Sequence, residues 1–161
     1  MNIRKSLAIL MLSLFFIVPF SQPVQANPYD LFGEGNCAYF CWDMMDRFWP
    51  EMFPVQRHWD AKDWVKLNGA IEGDYTAELI DLENISPGDF VIFPYSFDMP
   101  RGHVCFVLGV EGDNVVVLES SNYASSYEFP YKLNNCRFRV YTYSIFTLKE
   151  YKVQGLTYCR V

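Results

Sequence analysis

Histidine is nearly absent from this 161-residue sequence, which contains only His58 and His103. Chemistry that needs an imidazole base has two places to find one. No two cysteines are spaced as Cys-x-x-Cys and only two histidines are present, so a structural zinc centre is not the expected use of the cysteines. Basic charge is also short. Thirteen Lys and Arg face nineteen Asp and Glu, for a formal net charge of −6. An acidic surface suits neither nucleic acid nor an anionic membrane, so both are excluded as partners. The sequence has no internal repeat, low-complexity tract or recognisable linker.

What is present begins with an export pattern. Arg4 and Lys5 precede an apolar run from Leu7 to Phe20, interrupted by Ser13 and Pro19. Val24 and Ala26 then stand at the −3 and −1 positions of a cleavage site. This predicts a signal peptide over 1–26, a single domain over 27–161, and a secreted product, periplasmic or extracellular, that keeps no membrane anchor. Losing Arg4 and Lys5, with no acid in the leader, takes the formal charge from −6 to −8. Hydrophobic residues make up 51% and aromatics 18%, enough for a packed core.

The elements follow from pattern. Cys37 to Arg47 reads as a helix ended by Pro50 and Pro54, and His58 to Gly69 as a second, with Asp60 as N-cap. Tyr75 to Asn84 fits either irregular structure or a short element. Strands are predicted at Phe90–Phe93, Gly102–Val110, Val115–Glu119, Arg137–Phe146 and Val153–Cys159. Helices first and antiparallel strands after is an α+β arrangement, with the N-terminal helices packed on the sheet.

Cys37 follows Gly35-Asn36 and heads the first helix. A thiol there sits at the positive end of the helix dipole, which favours the nucleophilic thiolate. Cysteine hydrolysis also needs an imidazole and a polar group to fix its tautomer. His58 precedes a helix and reads as a packing or capping residue. His103, after Gly102 at the mouth of a strand, is free to face a cleft.

Four blocks resemble a known family. Gly35-Asn36-Cys37-Ala38-Tyr39-Phe40 is similar to the opening of CHAP domains, the cysteine, histidine-dependent amidohydrolase/peptidases of the papain-like NlpC superfamily. Trp59-Asp60-Ala61-Lys62-Asp63-Trp64, Pro87-Gly88-Asp89-Phe90-Val91-Ile92-Phe93 and Gly102-His103-Val104-Cys105-Phe106-Val107 resemble the blocks that follow, in the family's order. The resemblance implies a papain-like fold and peptidoglycan peptide as substrate, cut through a cysteine acyl-enzyme with no metal or cofactor. Cys37 would be the nucleophile and His103 the general base and acid. The Cys37 backbone N–H would be one oxyanion donor.

The third member would come from Leu118-Glu119-Ser120-Ser121-Asn122-Tyr123, where two residues separate acid from amide instead of the family's one. A four-residue turn at Glu111–Asn114 pairs Val110 with Val115, and so sets His103 opposite Asn122 and Cys105 opposite Ser120. Glu119 then faces away. This register favours Asn122 as the imidazole orienter, with Asn122→Ala more damaging to turnover than Glu119→Ala. Glu119 would reach the ring through a bulge at Glu119–Ser121, or support it from behind.

Cys41, one turn after Cys37, reads as a buried thiol or a disulfide partner, and less as a resolving thiol. Cys105 reads as packing, while Cys136 and Cys159 are candidates to pair with each other or with Cys41. The reading is an exported peptidoglycan hydrolase, amidase or endopeptidase. Its rivals are a silent wall-binding or structural domain, a thiol oxidoreductase, and an antibacterial toxin with the same chemistry. The toxin would have an immunity partner. An acidic chain without wall-binding repeats draws affinity from its groove or from a wall-targeting partner.

Overall fold

The computed structural model describes residues 36–48, 60–72, 74–96, 99–121, 126–133 and 136–160. The predicted leader, His58, Trp59 and Asn122 lie outside these residues. Helix α1 spans Cys37–Phe48. The strands are β1 (Ile71–Glu72), β2 (Tyr75–Ile80), β3 (Phe90–Phe93), β4 (His103–Glu111), β5 (Asn114–Ser120), β6 (Tyr131–Leu133), β7 (Cys136–Ser144) and β8 (Gln154–Arg160), with helix α2 at Ile145–Glu150 between the last two. Among the described residues the strands form one sheet in the order β1-β2-β8-β3-β4-β5-β7-β6. Every neighbouring pair is antiparallel. The architecture is α+β. No described helix is long and apolar enough to cross a membrane.

Side-chain alternation splits the core into two clusters. Phe90, Ile92, Val104, Phe106, Leu118 and Leu156 join Phe40, Cys41, Met44 and Met45 of α1. The residues between them, Val91, Phe93, Cys105, Val107 and Val117, join Leu148 of α2 in the other cluster. A short strand such as Phe-Val-Ile-Phe, buried at all four positions, is the signature of a sheet covered on both faces. The Pro87-Gly88-Asp89 turn fixes β3 against β4. Gly88 N–H donates to Val107 O at 2.8 Å, Val107 N–H donates to Asp89 O at 2.8 Å, and the buried Asp89 carboxylate accepts from Ser86 N–H at 2.7 Å.

Three expectations are corrected. The second helix is a 3₁₀ helix at Ala61–Leu67, and Asp60 makes no side-chain cap. It instead lies within ion-pair distance of Lys62, at 3.8 Å, and Arg101, at 3.9 Å. Alternating charge left the helix period of this stretch ambiguous, and Ala61, Trp64 and Leu67, spaced by three, bury the face that a 3₁₀ helix aligns. Next, all five cysteines are free thiols. Cys136 and Cys159 lie on β7 and β8, which the sheet order separates by four strand spacings, or roughly 19 Å, beyond the reach of a disulfide.

The third correction concerns register. Glu111 pairs with Asn114, Val110 with Val115 and Gly109 with Val116, as the turn predicts, but Val107 then pairs with Val117 and Phe106 with Leu118. Leu108 is an extra residue in β4, a bulge beside Gly109. Continued to the strand end, this register sets Cys105 opposite Glu119 instead of Ser120. Glu119 therefore faces the same side as Cys105 and His103. A bulge does return Glu119 to the histidine, but it lies in β4 and not at Glu119–Ser121.

Gly102 sets the entry into β4. Its φ is +69°, and a Cβ there would lie 2.5 Å from Phe93 O and 2.8 Å from Lys62 N. Both obstacles are backbone, so the site admits only glycine. Gly102→Ala is expected to lose about 1–3 kcal/mol of stability from the backbone strain alone. Urea unfolding measures this directly, and an unchanged midpoint would contradict it.

Candidate active site

Asn36 is the N-cap of α1. Its Oδ1 accepts from Tyr39 N–H at 2.7 Å, and its carbonyl accepts from Phe40 N–H at 3.0 Å. Cys37 is thus the first helical residue, at the positive end of the dipole. The helix is fixed to the start of β4, where the Cys41 thiol donates to Val104 O at 3.4 Å. This contact brings Cys37 to His103, the first residue of β4. Burial alone would raise the Cys37 thiol. The positive His103 ring and its hydrogen bond, with backbone hydrogen bonds from Val104 and Ala38, outweigh burial and hold it below its ordinary value.

Burial likewise works against a charged His103. The sulfur groups of Cys105 and Cys37 overcome it and hold the imidazole well above its ordinary range. Burial pushes Cys105 itself up to about 12, so at neutral pH it is an uncharged thiol. The charge attraction that raises His103 at neutral pH is then that of Cys37, and the lowered thiol beside the raised imidazole favours a thiolate–imidazolium pair.

Behind the ring lies a buried carboxylate. Glu119 is 2% exposed, and its Oε2 lies 3.0 Å from His103 Nε2. The same oxygen accepts from Tyr143 OH at 3.1 Å and from the Cys105 thiol at 3.4 Å. Oε1 accepts from Arg139 Nε at 2.5 Å. Glu119 and Arg139 are direct cross-strand partners on β5 and β7. The Arg139 guanidinium lies 4.7 Å from the Phe129 ring centre and 4.5 Å from that of Tyr141, which restrains its plane. Burial would raise the Glu119 carboxyl, yet His103 and then Arg139 hold it at about 2.

Of the predicted site residues, Cys37, His103 and Glu119 come together, while Asn122 lies outside the described residues. The register that favoured Asn122 over Glu119 does not occur. Sequence reasoning missed Arg139 and Tyr143. Their signal was the two-residue spacing of Arg139, Tyr141 and Tyr143, which puts all three on one face of the strand. Among the described residues, His103, Cys105 and Glu119 are the group whose ligand atoms could hold a cation, all lying within 4.8 Å of one another.

A helix-head cysteine, a strand-end histidine and a buried carboxylate define a cysteine–histidine–acid site on an α+β sheet. The family whose sequence pattern the chain matches is the CHAP domain, over residues 26–122. The chain belongs to the CHAP domain family. Among solved structures it is similar to Ly7917 (19% identity, TM-score 0.48) and to Ly7917 with the hydrolyzing product of MDP (21% identity, TM-score 0.52). Each comparison covers 78% of this chain and 54% of the other, so the chain spans about half the length of these structures. No curated protein matches it.

The site sets a stability profile with two limbs. Glu119 is shifted down from 4.5 to about 2, so its contribution is complete above about 4.5 and disappears as pH falls through about 2. His103 is shifted up from 6.5, so its contribution is complete below 6.5 and is lost as pH rises through the raised value. The Glu119 part is worth about 3 kcal/mol. In urea unfolding across pH, the gap between wild type and Glu119→Gln should be widest between those limbs and close toward pH 2. A gap that stays constant with pH would contradict this.

Proposed function

We propose that the chain is an exported peptidoglycan hydrolase, an amidase or endopeptidase, that works through a Cys37 acyl-enzyme. Membership of the CHAP family supports hydrolysis. The comparison structure of Ly7917 with the hydrolyzing product of MDP, a peptidoglycan fragment, supports the substrate class. The observation that carries the mechanism is the contact series Cys37, His103, Glu119.

In this reading the Cys37 thiolate attacks an amide carbonyl, with its own backbone N–H as one oxyanion donor. His103 Nε2–H is engaged by Glu119, which leaves Nδ1 for the proton transfers. The imidazolium gives its proton to the leaving amine as the C–N bond breaks, and a thioester remains. His103 then takes a proton from water. The hydroxide attacks the thioester, and its collapse frees the acid and regenerates the thiolate. Glu119 holds the tautomer and balances the imidazolium, so it replaces Asn122 as the orienter. The α1 helix on the antiparallel sheet supplies the papain-like setting.

Cys41 weakens the oxidoreductase alternative. Its thiol is fully buried, bonded to Val104 O, and pushed well above its ordinary value first by burial. Such a sulfur does not resolve a mixed disulfide. Mass spectrometry of fragments released from purified peptidoglycan tests the proposal. The wild type should release muropeptide fragments that name the bond cut, and Cys37→Ala should release none. Absence of fragments from every wall type, or equal release by Cys37→Ala, would reject it.

A further inference from the structure

The Glu119 carboxylate gathers more ligand chemistry than a tautomer lock requires. Three donors converge on one atom, Oε2: His103 Nε2 at 3.0 Å, Tyr143 OH at 3.1 Å and Cys105 Sγ at 3.4 Å. An imidazole, a thiol and a carboxylate are the three side-chain classes that bind zinc-like ions, and their ligand atoms lie within 4.8 Å of one another. An ion bound at the usual lengths needs its ligands about 3.3–3.6 Å apart, and His103 Nε2 and Cys105 Sγ already lie 3.0 Å and 3.4 Å from Glu119 Oε2. We propose that His103, Cys105 and Glu119 form a binding site for a thiophilic divalent cation, zinc above all, which switches the enzyme off by occupying its base.

Charge and access both fit. Insertion of the ion releases the Cys105 thiol proton and the His103 Nε2 proton to solvent and forms a metal–sulfur and a metal–nitrogen bond. The thiolate and the Glu119 carboxylate together neutralise the dication, so no net charge is added to a buried place. Arg139 holds Oε1, not Oε2, so it can keep its bond and orient the carboxylate toward the metal. His103, with 16% of its side chain exposed, is the open edge through which the ion enters, whereas Glu119 and Cys105 are buried. Three protein ligands leave a fourth position for water. Inhibition follows because a metal-bound Nε2 no longer meets Glu119 and the ring can no longer become imidazolium. That last step rests on the proposed role of His103; the binding site itself does not.

Cobalt(II) is the probe, because a thiolate ligand gives it a near-ultraviolet charge-transfer band. The host is the full chain carrying Cys37→Ala and Cys159→Ser, which removes the neighbouring nucleophile and the exposed thiol. The band should form in this host and disappear when Cys105→Ala is added, with folding checked by circular dichroism. Should Cys105→Ala fail to fold, His103→Ala in the same host serves instead, and there too the band should be lost or strongly weakened. No band in the host, or a band that survives removal of Cys105 or His103 unchanged, would overturn the site.

Zinc titration of the hydrolytic activity is the second arm. Outer partners of a metal ligand alone are worth about tenfold or more in affinity. Cys105→Ala should therefore raise the half-inhibitory zinc concentration at least that much, relative to its own uninhibited rate. A zinc response unchanged by Cys105→Ala would overturn the switch. If the chain proves not to cut peptidoglycan, the cobalt result still decides whether the site exists.

Discussion

A carboxylate at 2% exposure, ionised and holding a histidine at 3.0 Å, is the constraint on which the site depends. Burial of a charge is costly unless hydrogen bonds and an opposite charge surround it. Glu119 has both: Arg139 on one oxygen, and His103, Tyr143 and Cys105 on the other. The same contacts favour the charged ring of His103, and the charged ring favours the Cys37 thiolate. Three residues from α1, β4 and β5 are thus brought into electrostatic contact, the acid against the histidine and the histidine against the thiol.

The fold serves this coupling in three places. Asn36 caps α1 so that Cys37 stands at its head, and Cys41 fixes that helix to Val104. Gly102 lets the chain pass within close contact of Phe93 and Lys62 before His103. The Leu108 bulge turns the β4–β5 register by one residue, and Glu119 therefore faces the histidine instead of the opposite cluster. Without the bulge, alternation would drive Glu119 into the apolar face occupied by Val104 and Phe106.

Much of this was legible in the sequence, because local signals carry it. The strands at Phe90–Phe93 and His103–Glu111, the helix from Cys37, and the placement of Cys37 beside His103 follow from period, turn residues and the four family blocks. The position of Glu119 did not follow. It depends on a bulge whose one local sign, Gly109 inside a strand, is weak on its own. Arg139 and Tyr143 lie beyond the matched segment 26–122, so the resemblance could not supply them. Only the pairing of β5 with β7, a contact distant in sequence, shows that Arg139 stands across from Glu119. The disulfide expectation failed for the same reason: cysteine count says nothing of which strands lie between two thiols.

The central claim is that His103, held by Glu119, keeps Cys37 as a thiolate. The pH dependence of Cys37 alkylation by iodoacetamide measures it most directly, with mass spectrometry identifying the modified residue. The account predicts an alkylation profile displaced below the ordinary thiol value of 9.0, and a shift of that profile upward in His103→Ala. A wild-type profile centred on the ordinary thiol value and unmoved by His103→Ala would contradict it.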